Sequence, residues 1–162
     1  MNEITVRRCG APDATILKAI RLEALRDTPE AFGATFDEVS RWSAHRWREA
    51  ARDWNAYFGQ LDGEVVGMAS GGWSDAAPGT HWLYGMYVAP RARGTGVATA
   101  LVEEVSHWAR SLGAGSLYLH VTETVTRARA FYAKMGFRET GEVATMARDP
   151  MRRLVTMVRD LD

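Results

Sequence analysis

The segment 87–105, YVAPRARGTGVATALVEEV, changes from a strand pattern to a helix pattern within a few residues. Its apolar start is interrupted at Pro90, and a stripe of apolar residues at helical spacing begins at Val97. A strand that runs through a short turn into an amphipathic helix requires a layered fold, because the helix must pack its apolar face against other elements. The segment therefore indicates a chain that mixes strands and helices.

The turn inside this segment has the composition of an anion site. The first amides of a helix have no partner within the helix and, together with the helix dipole, attract negative charge. Gly94 and Gly96 allow close approach of a phosphate, and Arg91 and Arg93 add positive charge. A pyrophosphate site and an ordinary tight turn both agree with this spacing. A dinucleotide-binding fingerprint does not, because Thr99 stands where its third glycine is required.

The remaining patterns predict a mixed α+β chain. Strands are predicted at 4–9, 81–88, 116–121 and 152–161, with a hairpin turn at Asp62-Gly63. Helices are predicted at 13–27 with Asp13 as cap, at 43–53, at 95–113, and at 126–136 with Thr126 near its cap. The helix at 95–113 is expected to bury Val97, Leu101, Val105, Trp108 or Ala109, and Leu112. The stretch 29–39 is ambiguous, one interpretation being a short helix broken near Gly33.

Composition limits the classes of function. The 162 residues, 46% hydrophobic and 25% charged, suit one globular domain over 1–162. The formal net charge is zero, which gives no bulk-charge argument for nucleic-acid or membrane partners. Cys9 is the only cysteine, so no internal disulfide forms and a reducing compartment is expected. Without a long apolar run, a signal-peptide core or histidines at metal spacing, we predict a cytoplasmic protein with no metal.

The glycine turn resembles the cofactor motif of the GCN5-related N-acetyltransferase (GNAT) family, Arg/Gln-x-x-Gly-x-Gly/Ala between a strand and a helix. Arg93, Gly96 and Ala98 match it in order. The resemblance implies an α+β fold with a mixed, mostly antiparallel central sheet flanked by helices, in which one strand is splayed at the acetyl-CoA site. It implies acetyl-CoA as co-substrate, bound at Met86, Tyr87, Val88, Arg93, Gly94, Thr95, Gly96, Val97 and Ala98.

A second block, LHVTETVTRARAFYAKMGF, resembles the family's strand-helix segment that ends in Ala-x-x-Phe/Leu-Tyr-x-x-x-Gly-Phe. The matching residues are Ala128, Phe131, Tyr132, Gly136 and Phe137. The resemblance adds Thr126, Ala128 and Phe131 to the expected cofactor contacts. Val125 stands where the family usually has an asparagine that bonds the cofactor arm, and Thr124 or Thr126 is the available replacement.

Acetyl transfer to an amine needs a donor for the carbonyl oxygen, a proton for the departing thiolate and a neutral amine. The resemblance implies a backbone amide within 86–88 as the donor and Tyr132 as the general acid. For the general base, Glu123, His120 and Asp75 remain alternatives, with Glu123 following the central strand.

The resemblance implies an acetyl-CoA-dependent N-acetyltransferase that acts on a primary amine of a small molecule or peptide, directly in a ternary complex. A non-catalytic acyl-CoA-binding sensor or interaction module is the alternative, which Val125 favours and Tyr132 disfavours. Dimers are common among similar proteins, so a homodimer is one expected state. Aromatic and acidic residues in 25–54 and 73–82 suggest a pocket for a cationic amine with an apolar portion.

Overall fold

The computed structural model describes residues 2–162, which form seven strands and five helices. The strands are β1 (Ile4–Arg8), β2 (Ala56–Leu61), β3 (Glu64–Trp73), β4 (His81–Val88), β5 (Ser116–Thr122), β6 (Arg138–Met146) and β7 (Asp149–Asp160). The helices are α1 (Ala14–Asp27), α2 (Phe36–Ser40), α3 (Ala44–Asp53), α4 (Val97–Ser111) and α5 (Thr126–Lys134). None of these helices is long and apolar enough to cross a membrane.

The strands form one sheet in the order β1-β2-β3-β4-β5-β7-β6. Every neighbouring pair is antiparallel except β4 and β5, which run parallel and are joined by the connection through α4. The β2–β3 turn places Asp62 and Gly63 at φ of 51° and 83°, as a type I′ hairpin requires, so that prediction is confirmed. The expected mixed, mostly antiparallel sheet flanked by helices is likewise confirmed.

Strands β4 and β5 separate after a single register pair, Trp82 with Tyr118. Strand β4 also bulges. Tyr84 pairs with Ser70 of β3 and Tyr87 pairs with Met68, so β4 has two residues between these pairs where β3 has one. A bulge bends the strand that carries it, and β4 pairs with β5 only before the bulge, at Trp82. The sheet is therefore open on the β5 side of residues 86–88, and this opening is the splayed strand that the sequence resemblance implied.

Two apolar cores lie on the two faces of the sheet. One lies under α4, where Val97, Leu101, Val105 and Ala109 are fully buried. Leu112 was expected in that stripe, but it is 51% exposed because α4 ends at Ser111, one residue earlier. The other core joins α1, α2 and α3 to the opposite face through residues such as Leu17, Trp47 and Phe58.

The helix caps and strand β6 show what local patterns predicted and what they missed. Asp13 is the N-cap residue of α1, as predicted, but its side chain makes no cap bond; its carboxylate accepts from the Gly10 amide at 2.8 Å and pairs with Arg7 at 3.1 Å. Thr126 lies next to the cap of α5, as predicted; it is the first helical residue, and the cap position belongs to Val125, which makes no side-chain cap bond. Strand β6 was not predicted, because eight of its nine residues are at least partly exposed and show no buried stripe.

Candidate active site

A cavity of about 500 Å³ lies at the opening between β4 and β5. It is bounded by the end of β4, the glycine turn before α4, the start of α5 and the segment that follows α1. Of the predicted site residues it brings together Met86, Tyr87, Val88, Arg93, Gly94, Gly96, Ala98, Ala128, Phe131 and Tyr132. Thr95, Val97, Thr126 and Glu123 do not line it.

The glycine turn has the backbone that its sequence suggested. Gly94 and Gly96 adopt φ of +80° and +102°, a region that side chains with a Cβ rarely enter. Gly96 is also the N-cap of the 15-residue α4, so the unpaired amides of the first helical turn face the cavity region. The Thr95 hydroxyl donates to the carbonyl of Ala92 and tightens this turn. Val97 is fully buried, and its side chain belongs to the core. It packs closely on β2, since an added Cβ on Gly59 would lie 2.6 Å from Cγ1 of Val97.

The two arginines of the turn are already paired with carboxylates. Arg93 donates to Asp27 at 2.7 Å and to the carbonyl of Val88 at 3.1 Å, which fixes the end of β4. Arg91 pairs with Glu23 at 3.1 Å and does not line the cavity. These contacts give the arginines a structural task that the sequence did not reveal.

Positive charge at the cavity comes from α5 as well. Arg127 and Lys134 line the cavity, and neither forms an ion pair within residues 2–162. Arg129, on the same helix, instead pairs with Glu139 at 2.8 Å. The sequence did not show which of these three cations would line the cavity. Their positions on α5 decide it, since Arg127 and Lys134 reach the lining and Arg129 does not.

Tyr132 reaches the cavity from α5. Its side chain is nearly buried, 7% exposed, and its ring packs edge-on against Phe137 with centroids 5.6 Å apart. The hydroxyl has no hydrogen-bond partner among the described residues, and burial raises the pKa of Tyr132 above its ordinary value. The group is therefore a protonated donor that faces the cavity without an internal acceptor.

Among the described residues, none of the three predicted base candidates, Glu123, His120 and Asp75, lines this cavity. Glu123 follows β5, but its carboxylate pairs with Arg153 at 3.3 Å and lies outside the lining. His120 packs edge-on against Trp82 with ring centroids 4.8 Å apart, also outside the lining. Desolvation lowers the pKa of His120. The carboxylate that does line the cavity is Glu30, from the segment after α1.

The side chain of Tyr87 points away from the opening. Its hydroxyl donates to Glu23 at 3.0 Å and lies 3.1 Å from Asp27. Burial, followed by these two carboxylates, raises the pKa of Tyr87. The side chain of Tyr87 is thus anchored against α1, and at this position β4 presents its backbone to the cavity.

Sequence reasoning missed the contribution of the segment after α1. Thr28, Glu30 and Ala31 line the cavity, and Thr122 of β5 ties this segment down by donating to the Glu30 carbonyl at 3.0 Å. Pro29 marked the end of α1, but no local pattern showed that the following residues fold over the opening.

The chain belongs to the GNAT acetyltransferase family, since the model of the Acetyltransferase (GNAT) family matches residues 17–137. Over 56 residues, 35% of the chain, it is 41% identical to an uncharacterized N-acetyltransferase of Mycobacterium bovis, and the match spans 36% of that protein. The family resemblance found in the two sequence blocks is therefore confirmed.

Solved structures show the same fold. A GNAT-family acetyltransferase of Streptococcus pneumoniae superposes with a TM-score of 0.76 at 19% identity, covering 98% of this chain and 99% of that one. The protein yncA of Salmonella typhimurium, solved with its cofactor acetyl-CoA, superposes with a TM-score of 0.72 at 21% identity, covering 99% and 95%.

Proposed function

We propose that this protein is an acetyl-CoA-dependent N-acetyltransferase that acetylates a primary amine of a small molecule or peptide. One observation carries the proposal. A single cavity joins the unpaired edge of β4, the glycine turn at the start of α4 and the partnerless hydroxyl of Tyr132. Family membership supports acetyl transfer, and the acetyl-CoA bound to the structurally similar yncA supports the identity of the co-substrate.

The lining suits the parts of acetyl-CoA in order. The amides that follow Gly96 are suited to the pyrophosphate, and Arg127 and Lys134 offer unpaired positive charge to phosphates. The open edge of β4 at 86–88 presents backbone groups to an amide-bearing arm. Val125 lines the same cavity without a polar side-chain atom, so the arm is held there by backbone and apolar contacts.

In this proposal the chain supplies one proton and one oxyanion donor. Acetyl-CoA supplies the acetyl group as a thioester. The amine nitrogen forms a bond to the acetyl carbon while a β4 amide within 86–88 donates to the carbonyl oxygen, and the carbon–sulfur bond then breaks as Tyr132 protonates the departing sulfur. The acetylated nitrogen releases one proton to solvent, and Tyr132 regains one from solvent, which closes the cycle. Tyr132 stays protonated through neutral and mildly alkaline pH because its pKa is raised. The acceptor enters as the neutral amine, so the rate rises with pH as the amine loses its proton.

Direct transfer is favoured over an acetylated enzyme. Cys9 is buried in the core on the α1 face, with its sulfur 3.7 Å from the Ala51 carbonyl. Burial raises the pKa of Cys9 to about 11, which keeps the thiol protonated and unreactive near neutral pH. The buried free thiol also agrees with action in the reducing cytoplasm.

The test is a screen of amines with the purified protein and acetyl-CoA, following free thiol release and the mass of the acetylated product. We expect thiol release that depends on the amine and matches product formation. Thermal stabilisation by acetyl-CoA without acetylation of any amine would instead support a non-catalytic acyl-CoA-binding module.

A further inference from the structure

A second cavity, of about 250 Å³, lies on the face of the sheet covered by α1 and α3. Its wall includes Arg21 of α1, Trp54 after α3, Ser70 of β3, and Tyr84 and Gly85 of β4. Gly85 is followed directly by Met86, which lines the 500 Å³ cavity, so the two cavities are lined by consecutive residues of β4.

Arg21 is a largely buried cation that has no counterion in the part of the chain that the structure describes. Its guanidinium stacks over the ring of Phe32 at 4.6 Å and lies 5.8 Å from that of Trp54. Its Nε is shielded from solvent and has no hydrogen-bond partner, and no carboxylate within residues 2–162 pairs with it. Burial lowers the pKa of Arg21 to about 10, which still leaves the side chain charged at neutral pH. A buried charge in this state gains strongly from an anionic partner.

The surroundings of Arg21 favour an anion. No aspartate or glutamate among residues 2–162 lines the cavity. The Ser70 side chain is nearly buried and makes no hydrogen bond within the described chain, so its hydroxyl is a second free donor. Gly85 places no side chain beside Arg21, and an ideal Cβ there would lie in ordinary van der Waals contact with Nη1, at 3.5 Å.

We infer that this cavity binds the carboxylate of the acceptor, so that the acceptor is an amine that also carries a carboxylate. The inference rests on the proposed function. Gly85, where an ideal Cβ would lie 3.5 Å from Arg21 Nη1, directly precedes residues 86–88, the edge where the acetyl group would be held, and adjacent Cα atoms are about 3.8 Å apart. A small molecule spans that separation with its carboxylate on Arg21 and its amine at the opening.

This inference replaces the cationic acceptor suggested by the sequence. The aromatic and acidic residues of 25–54 and 73–82 do not form one shared pocket. Within the first segment, a separate cavity of about 310 Å³ beside α3 is lined by Trp42, Trp54, Glu49 and Asp53. Trp42, Trp47 and Trp54 pack on one another, and Trp73 is 61% exposed beside Trp108. Only Trp54 reaches the Arg21 cavity, as an apolar wall.

The test compares kcat/KM for amino acids and for the matching amino carboxamides, which lose the negative charge and keep the shape. In the wild type we expect the acids to be favoured roughly 10- to 100-fold, the range for a hydrogen bond to a charged group. Arg21→Gln should remove this preference by lowering kcat/KM for the acids alone, and Arg21→Lys should retain part of it. Arg26→Gln is the matched control, since Arg26 is on the same helix and stacks 4.7 Å from Phe36 outside the cavity; it should leave the preference unchanged.

A binding measurement separates this inference from the proposed function. We would titrate the coenzyme A-bound wild type and Arg21→Gln proteins with 3-phenylpropionate and 3-phenylpropionamide in a calorimeter. Arg21-dependent binding of the acid, without acetylation of any amine, would overturn the proposed function and support the carboxylate site. Equal acetylation of acids and carboxamides by the wild type would overturn the carboxylate site alone. An equal loss for both classes in Arg21→Gln would show a purely structural arginine and would also overturn it.

Discussion

Replacing Tyr132 by phenylalanine tests the proposed chemistry at one atom. The ring contacts with Phe131 and Phe137 remain, with centroid distances of 5.4 and 5.6 Å. The lost hydroxyl has no acceptor within residues 2–162, so no internal hydrogen bond is broken. We therefore expect the free energy of unfolding to change by less than about 1 kcal/mol and the affinity for coenzyme A to stay nearly constant.

The expected kinetic effect is much larger than the effect on stability. General acid catalysis is worth about 10²–10⁴ in rate, or about 2.7–5.5 kcal/mol of barrier. A water molecule in the space of the missing oxygen would recover part of the lost rate, so we expect kcat to fall about 10²–10³-fold. Because the pKa of Tyr132 is raised, wild-type activity should not decline from its ionisation even near pH 10, its ordinary pKa.

The assay measures kcat by thiol release with one good amine, from about pH 7 to 10, beside calorimetric affinity for coenzyme A. Tyr57→Phe is the matched control, since Tyr57 is also nearly buried in the α4 core but donates to Asn55 at 3.3 Å, outside the cavity. It should cost about 1 kcal/mol of stability and leave kcat unchanged. A Tyr132→Phe kcat within about threefold of wild type, well below the range for a general acid, would refute the role if chemistry limits turnover. A parallel loss of kcat and coenzyme A binding would refute it as well.

Three further results are expected. Gly96→Glu, which forces a side chain and a negative charge into a backbone at φ +102°, should abolish thermal stabilisation by coenzyme A; full stabilisation in the folded variant would contradict the pyrophosphate site. Gly71→Ala should lower the free energy of unfolding by about 1–3 kcal/mol in urea, because its Cβ would collide with Trp108, while Gly115→Ala, with open space, should be neutral. With a pKa of about 11, Cys9 is about one-thousandth ionised at pH 8 and should react with a thiol reagent only after denaturation; rapid labelling of native protein would contradict its burial.

The sequence predicted the elements with strong local signals. Strand β4 was predicted with its observed bounds, and the hairpin at Asp62-Gly63 followed from the turn chemistry of two adjacent residues. Strand β6 was missed because its exposed residues carry no alternation, and it is held in place by long-range pairing with β7. Pairing between distant segments has no local pattern, which is why the strand order also could not be read from the chain.

The same distinction explains the site. The glycine turn and the block around Tyr132 were recognisable as short motifs, and both lie on the 500 Å³ cavity. Their partners were not recognisable, because the pairing of Arg93 with Asp27 joins residues 66 positions apart. That Arg21 is buried without a paired carboxylate follows from the packing around it. An arginine on a helix is ordinarily solvated, and no sequence pattern distinguishes an arginine that is buried without a counterion.

The single register pair between β4 and β5 divides the sheet into two mechanical units of four and three strands. Each unit is held by its own antiparallel ladders, whereas the seam is bridged by one strand pair, by helix α4 and by the bond from Thr122 to the segment after α1. A ligand seated in that seam adds contacts to both sides, so it contributes to the rigidity of the sheet that holds it. In hydrogen exchange we expect the amides of residues 86–88 that face the seam to exchange faster than the interior of β3 in the free protein. They should slow when the seam is filled.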